Sequence, residues 1–277
     1  MCMVSVIIPY FNRGDTLPRA LDSVRAQSYQ DLEIILVNDG STDQTSQLVE
    51  AYIQDHPELH FKHLWQKNSG PSGARNNAIR HATGRYIACL DSDDAWEPQK
   101  LAIQIDFMER NSEVGITGTN YYIVKEHQWH KYNNVTGSVE VGFYRVLFKS
   151  LYLTSTVIMR TDIFRRDNIW FQEGKNQGED LLLFLQILRK YKGALLYQPL
   201  ASYFKFEYGE EGLTSDLGKL LANELDNLKL LYAENELSEK KISYGLFILL
   251  NIYTYLKHDK RVLLNTWHKI QSSNASG

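Results

Sequence analysis

The sequence predicts an α/β protein built on a mostly parallel sheet, with a helical region after it. Three observations predict it. Up to residue 90, short β-rich apolar runs alternate with segments whose apolar residues recur at helical spacing. Clusters of acids, glycines and asparagines stand directly after the apolar runs, at the edge where open α/β sheets bind ligands. Beyond about residue 211 the strand signals stop and helix formers take over.

Taken in order, residues 4–9, 33–38, 60–66 and 86–90 read as strands. Between them Leu17, Ala20, Leu21 and Val24 mark one helix. Ser41 followed by Gln44 suits a capping box opening a second through Leu48, Val49 and Ile53, and Ala74, Ala78, Ile79 and Ala82 mark a third. The next segment predicts a helix over 98–108, a strand over 114–119 and an irregular aromatic stretch containing Trp129, Tyr132 and Phe143. After it come a strand over 154–159, a helix over 180–189 and a strand over 194–198. This divides the chain into an α/β domain over 1–211, with one half over 1–97 and another over 98–211. A helical region over 212–271 and a polar tail over 272–277 complete it.

Composition narrows the function. A chain of 277 residues with 43% hydrophobic residues can bury a sizeable core. The net charge of −3 and the lack of long Lys/Arg runs exclude an ordinary nucleic-acid binder. Cys2 and Cys89 are too few for a disulfide framework and form no metal-type pair, which suits a reducing compartment. The apolar run from Val4 to Ile8 is too short and lacks the basic lead-in of a signal peptide. The run from Tyr244 to Leu256, broken by Asn251, falls below the roughly 20 residues that span a bilayer. The expectation is a cytoplasmic protein, with a peripheral position on the inner face of the membrane as the alternative.

Four motifs can carry chemistry. Asp91, Ser92, Asp93 and Asp94 follow an apolar strand directly; carboxylates so close repel one another, and a hard cation such as Mg²⁺ or Mn²⁺ relieves that repulsion. The same acids could instead cap a helix. Asp39, Gly40 and Ser41 form a second strand-end turn, in which Asp39 could accept hydrogen bonds from a base or ribose. The run from Asn68 to Asn76 combines two glycines with Arg75 in the opening turn of a helix, suited to an anion. Glu179 and Asp180 begin an apolar helix and serve as either a dipole-stabilised cap or a general base.

With the opening run from Val4 to Arg13, these motifs in this order resemble the family 2 glycosyltransferases, over about the first 205 residues. The resemblance implies that 1–211 is a catalytic domain of the glycosyltransferase A fold, with a Rossmann-like nucleotide-binding half over 1–97 and an acceptor half over 98–211, and that the enzyme is inverting. Its donor would be a nucleoside diphosphate sugar, with UDP favoured by the family's habits. Pro9 and Tyr10 would line the base pocket with Asn12 beside them, Asp39 would recognise the base, and Asn68 and Arg75 would make further nucleotide and phosphate contacts. Asp91 would touch ribose or sugar, Asp93 with Asp91 would hold Mn²⁺ or Mg²⁺, and Asp94 would hold the sugar or stiffen the site. Asp180 would be the catalytic base, with Glu179 beside it.

Gln186 to Arg189 lacks the Trp of the Gln-x-x-Arg-Trp motif of processive synthases and follows Asp180 too closely. The expectation is therefore a non-processive, hexosyltransferase-type enzyme. Its acceptor would be a hydroxyl of a glycan or lipid-linked molecule in surface polysaccharide synthesis. The chief alternative is a nucleotidyltransferase, which needs a Gly-rich basic loop near the first strand, and Tyr10 to Gly14 is a poor version of one; a dehydrogenase needs a G-x-G-x-x-G, and none follows any strand. A catalytically inactive sugar-nucleotide binding module is the non-enzymatic alternative. His127 and His130 read as a surface pair, and Trp96 as core or sugar contact. Leu217, Leu220, Leu221, Leu225, Leu228 and Leu231 lie on one helical face, read as packing on the catalytic domain. The second reading of the C-terminal helices is a homodimer or membrane docking assisted by Lys240, Lys241, Lys257, Lys260 and Arg261.

Overall fold

The computed structural model describes residues 3–125, 128–131, 137–175, 177–204 and 216–275. Its first half is β1 (Val4–Tyr10), α1 (Leu17–Arg25), β2 (Leu32–Asn38), α2 (Thr45–Asp55), β3 (Phe61–Trp65), α3 (Gly70–His81) and β4 (Tyr86–Cys89). These strands pair in parallel in the order β3-β2-β1-β4, so the chain reverses its direction of winding between β3 and β4. Residues of β1, β2 and β4 are buried on both faces, as their unbroken apolar runs require. Each aliphatic side chain so buried contributes on the order of 1.5–3 kcal/mol.

The second half follows through β5 (Ala95–Trp96), α4 (Lys100–Arg110), β6 (Val114–Lys125), β7 (Gln128–Lys131), β8 (Ser138–Val141) and α5 (Phe143–Phe148). A single 3₁₀ turn, Thr154–Thr156, then leads to β9 (Ile158–Arg160), α6 (Asp162–Arg166), α7 (Glu179–Lys190) and β10 (Lys192–Tyr203). The sheet continues from β4 as β9-β6-β10-β5, with β9 antiparallel to both β4 and β6. Two helices close the chain, α8 (Leu217–Ala233) and α9 (Tyr244–Ala275). α8 buries Leu220, Leu228 and Leu231, as its spacing predicts.

The structure departs from the sequence reading in identifiable places. Helix α2 starts at Thr45 after Gln44, with no side-chain cap from Ser41, whose hydroxyl instead accepts from the Asn12 amide at 3.0 Å. Residues 154–156 form a turn in place of a strand, because their hydroxyls bond locally and across to the site. The strands around 114–119 and 194–198 extend to 12 residues each and pair with one another. The aromatic stretch contains β7 and β8. His130 lies in β7 opposite Ile123, where the backbone is extended and not helical, while His127 and the expected boundary at 211 fall outside the described residues.

Candidate active site

Three loops at the carboxyl ends of β1, β2 and β3 are tied into one rim. Asn12, held at φ 51°, accepts from the Thr42 amide at 2.9 Å, and Arg13 donates its amide to Thr45 Oγ1 at 3.0 Å. Gly40 sits at φ +80°, and a Cβ there would lie 3.0 Å from the Asn68 amide nitrogen; the turn therefore needs glycine. Asp39 is buried and accepts the Ser69 and Gly70 amides, each at 2.9 Å, and the Gln66 side chain at 2.8 Å. A carboxylate at this end of α3 offsets the positive end of the helix dipole. Pro9 is half-buried and Asn68 exposed at the same rim. Tyr10, expected to line the pocket, is 2% exposed. It lies in the core, with its hydroxyl 2.6 Å from His63 Nε2, and burial raises its pKa to about 12.

Directly after β4 the chain turns through Asp91 to Asp94, and a carboxylate oxygen from each of Asp91, Asp93 and Asp94 lies within 4.8 Å of the others. Three hard oxygen donors at this separation fit a divalent cation such as Mg²⁺ or Mn²⁺. Asp94 is fully buried, accepting from the Ser155 hydroxyl and, at 3.4 Å, from the Phe204 amide. Arg19 donates to the Asp93 carbonyl at 2.5 Å and lies 3.6 Å above the Phe204 ring, which fixes the turn from the α1 side. Trp96 is core, donating to the Ser155 carbonyl at 2.6 Å. Behind it Lys100 is buried against the Trp96 ring at 4.2 Å, and burial pulls its ammonium down to about 7.

Arg75 joins this turn to the second half of the molecule. From α3 it donates to Asp91 at 2.8 Å and to Glu179 at 3.0 Å, with its side chain 7% exposed. Burial works against the guanidinium charge, but Asp91 and Glu179 more than offset it and raise its pKa. Glu179 shifts upward, through burial and the neighbouring Asp180, against the pull of Arg75. Asp180, in the first turn of α7, accepts from Thr154 Oγ1 at 3.0 Å and from the Leu181 amide at 2.7 Å. Gly178 precedes them at φ +72°, and its carbonyl accepts from Asn227 of α8 at 2.7 Å. The turn Thr154–Thr156 thus holds both acidic clusters: Thr154 bonds Asp180, while Ser155 bonds Asp94 and the Asp91 amide.

The structure therefore brings Asp91, Asp93, Asp94, Arg75, Glu179 and Asp180 together, with Asp39, Asn12, Pro9 and Asn68 along the adjoining rim. The sequence reading missed Arg19, Thr154 and Ser155. Their only sequence signal is that they are polar residues inside apolar patterns. A separate hollow of about 440 Å³ beside Asp167, Arg189 and Glu234 lies at the far end of α7 and shares no residue with this cluster.

A parallel α/β half with an acidic strand end, continued by β9 to a second half that carries an acidic helix start, is the glycosyltransferase A fold. The chain belongs to glycosyltransferase family 2: residues 5–171 match the model of Glycosyl transferase family 2. An uncharacterized glycosyltransferase of Rickettsia felis is 33% identical over 187 residues, 68% of this chain and only 30% of that protein's length. The Escherichia coli UDP-Glc:alpha-D-GlcNAc-diphosphoundecaprenol beta-1,3-glucosyltransferase WfaP is 37% identical over 195 residues, 69% of this chain and 72% of that one. Among solved structures, S. aureus TarS 1–349 in complex with UDP-GlcNAc superposes with a TM-score of 0.73 at 22% identity, covering 90% of this chain and 70% of that one. The Pyrobaculum calidifontis mannosyltransferase PcManGT, in complex with GDP-Man and Mn²⁺, gives a TM-score of 0.67 at 18% identity over 100% of this chain and 76% of that one.

Proposed function

We propose that the protein is an inverting, non-processive glycosyltransferase that moves a sugar from a nucleoside diphosphate carrier, UDP in the first instance, to a hydroxyl of a lipid-linked glycan in surface polysaccharide synthesis. The bridge made by Arg75 carries this reading, because it fixes the donor-side acid Asp91 and the acceptor-side acid Glu179 on one guanidinium. The sugar-carrying diphosphate belongs beside Asp91 and Asp93, and the acceptor beside Asp180. WfaP supports a lipid-linked acceptor and a UDP-linked donor, and a putative teichuronic acid biosynthesis glycosyltransferase of Bacillus subtilis, TuaG, is 42% identical over 117 residues, 42% of this chain.

Asp180 takes the acceptor proton. The freed oxygen forms its bond to the anomeric carbon on the face opposite the diphosphate, and the bond from that carbon to the diphosphate oxygen breaks with its electron pair. Thr154 holds one carboxylate oxygen of Asp180 and the Leu181 amide the other, so the base is oriented before substrate arrives. Arg75 keeps the charges of Asp91 and Glu179 balanced in a buried setting. A divalent cation between Asp93 and Asp91 would offset the charge developing on the leaving diphosphate.

The test incubates UDP-glucose, UDP-GlcNAc and GDP-mannose, each with Mn²⁺, with a GlcNAc-diphosphate lipid acceptor. Expected is transfer from one donor, reduced about 10²- to 10⁴-fold in Asp180→Asn while that variant still gains thermal stability from the donor. Asp93→Asn should lose the metal-dependent part of that thermal gain. Full turnover in Asp180→Asn would overturn the assignment of the base, and no thermal gain from any donor would overturn the donor site.

A further inference from the structure

Helix α9 has 32 residues, about 48 Å of helix, and no helix among the described residues is long and apolar enough to cross a membrane. One side of it is held down. Leu250 and Thr254 are buried, and Lys257 and Arg261 both pair with the buried Glu224 of α8, at 3.0 and 3.1 Å. The opposite side is apolar as well, although it faces outward. Leu249, Ile252, Tyr255, Leu256 and Leu263 recur there at intervals of three, four and seven, and Leu256 and Leu263 are 62% and 70% exposed. With Tyr244 and Ile248 this stripe presents seven large apolar side chains on one helix face, each 42–70% exposed, and a contiguous patch of that kind marks an interaction surface.

Charge around the stripe indicates what covers it. α5 packs beside α9 through the Phe148 and Tyr253 rings, 5.7 Å apart, and the Tyr144 hydroxyl donates to the Lys241 carbonyl at 3.1 Å. That edge carries exposed Arg145, Lys149 and Lys241, and Lys260 lies on α9 itself; among the described residues none of the four has an acidic partner. One acid, Asp259, stands on the stripe against them. An apolar face with tyrosines, rimmed by free cations, is complementary to an anionic bilayer surface, where apolar side chains enter the headgroup boundary and cations meet lipid phosphates. Lys257 and Arg261 are committed to Glu224, and Lys240 donates to the Leu188 carbonyl at 2.6 Å, so Lys241 and Lys260 are left from the set the sequence offered.

We infer that α9 lies in the plane of an anionic phospholipid surface on its Leu249–Leu256–Leu263 face, with Arg145, Lys149 and Lys260 against the headgroups. α8, clamped to α9 through Glu224, bonds the Gly178 carbonyl through Asn227 and so ties the docking helix to the turn that presents Asp180. The inference rests on the lipid-linked acceptor of the proposed function for its purpose, but not for its test.

The experiment sediments the full chain, with no donor or acceptor present, with phosphatidylcholine vesicles and with phosphatidylcholine–phosphatidylglycerol vesicles, and measures its mass in solution by light scattering. Expected is a monomer that pellets with the phosphatidylglycerol vesicles. Leu256→Glu with Leu263→Glu should leave it in the supernatant, and Lys149→Ala and Lys260→Ala should each weaken binding about fivefold. All four are surface positions, and an unchanged melting temperature checks that the variants fold. A wild type that stays in the supernatant, or binding indifferent to the two glutamates, would overturn the inference. So would a lipid-free dimer that the glutamates split, since a second copy would then cover the face. Transfer to a water-soluble short-chain acceptor, unaffected by the glutamates, reports separately on the proposed reaction.

Discussion

Replacing Arg75 by Met removes the one cation between Asp91 and Glu179 while keeping most of the side-chain volume. Asp91 is 19% exposed and can recruit water, but the Glu179 side chain is 8% exposed and would keep a buried charge next to Asp180. Stranding one partner of a buried pair costs about 3–5 kcal/mol. For a chain of this size that corresponds to roughly a 10 °C fall in Tm. The pH dependence identifies the cause. Glu179 already has a folded-state pKa above its ordinary value, and without Arg75 it rises further. A carboxyl raised in the folded state contributes its stability below the unfolded pKa and loses it as pH rises through the folded pKa. The deficit of Arg75→Met should therefore be largest near pH 8 and shrink as pH falls toward 5. Adding Glu179→Gln should recover a large part of it at pH 8, because the stranded charge is gone. Urea unfolding followed by circular dichroism at several pH values reads all three. A deficit under about 1 kcal/mol, a pH-independent deficit or no recovery by Glu179→Gln would refute the bridge as described.

Thr154→Val deletes the hydroxyl that holds Asp180 and keeps the shape of the turn; steady-state kinetics should show kcat down about tenfold, the equivalent of one hydrogen bond of about 1.4 kcal/mol, with donor KM unchanged. Far from the site, burial pushes the Glu33 carboxyl up, but bonds from Lys62, Ser5 and Thr83 outweigh it and hold the pKa at about 2. A depressed carboxyl contributes stability above its unfolded pKa and loses it as pH falls through the folded value. Glu33→Gln should thus cost about 1.5–3 kcal/mol at pH 7, and the gap to wild type should close in urea titrations between about pH 4 and pH 2.

The first half of the fold was legible because burial on both faces writes β1, β2 and β4 as unbroken apolar runs, and α1 and α3 as clean helical spacings. The acids at 91–94 and 179–180 were legible because acids seldom interrupt such patterns at a strand end or helix start. Thr154 to Thr156 was misread because three β-favouring hydroxyl residues look like a strand; as a turn, their oxygens bond groups 26 and 61 residues away. The resemblance implies a place for Tyr10 in the base pocket, but β1 continues through residue 10 and that side chain is buried beside His63. Arg75 was read as a helix-start cation for an anion, yet its partners are carboxylates 16 and 104 residues away, a pairing no local window contains.

The tie between the two acidic clusters has a consequence for descent. Arg75 and the turn Thr154–Thr156 join the acids at 91–94 to those at 179–180, and Phe204 at the end of β10 braces the first of them, whereas α8 and α9 reach the clusters through Asn227 on the Gly178 carbonyl; the two closing helices can therefore drift, lengthen or be exchanged while Asp39, Asp91 and Asp93 stay under unchanged constraint. Chimeras that keep residues 1–204 and graft a relative's helices after them should fold and retain the proposed donor, which makes that point a seam for recombining acceptor preferences.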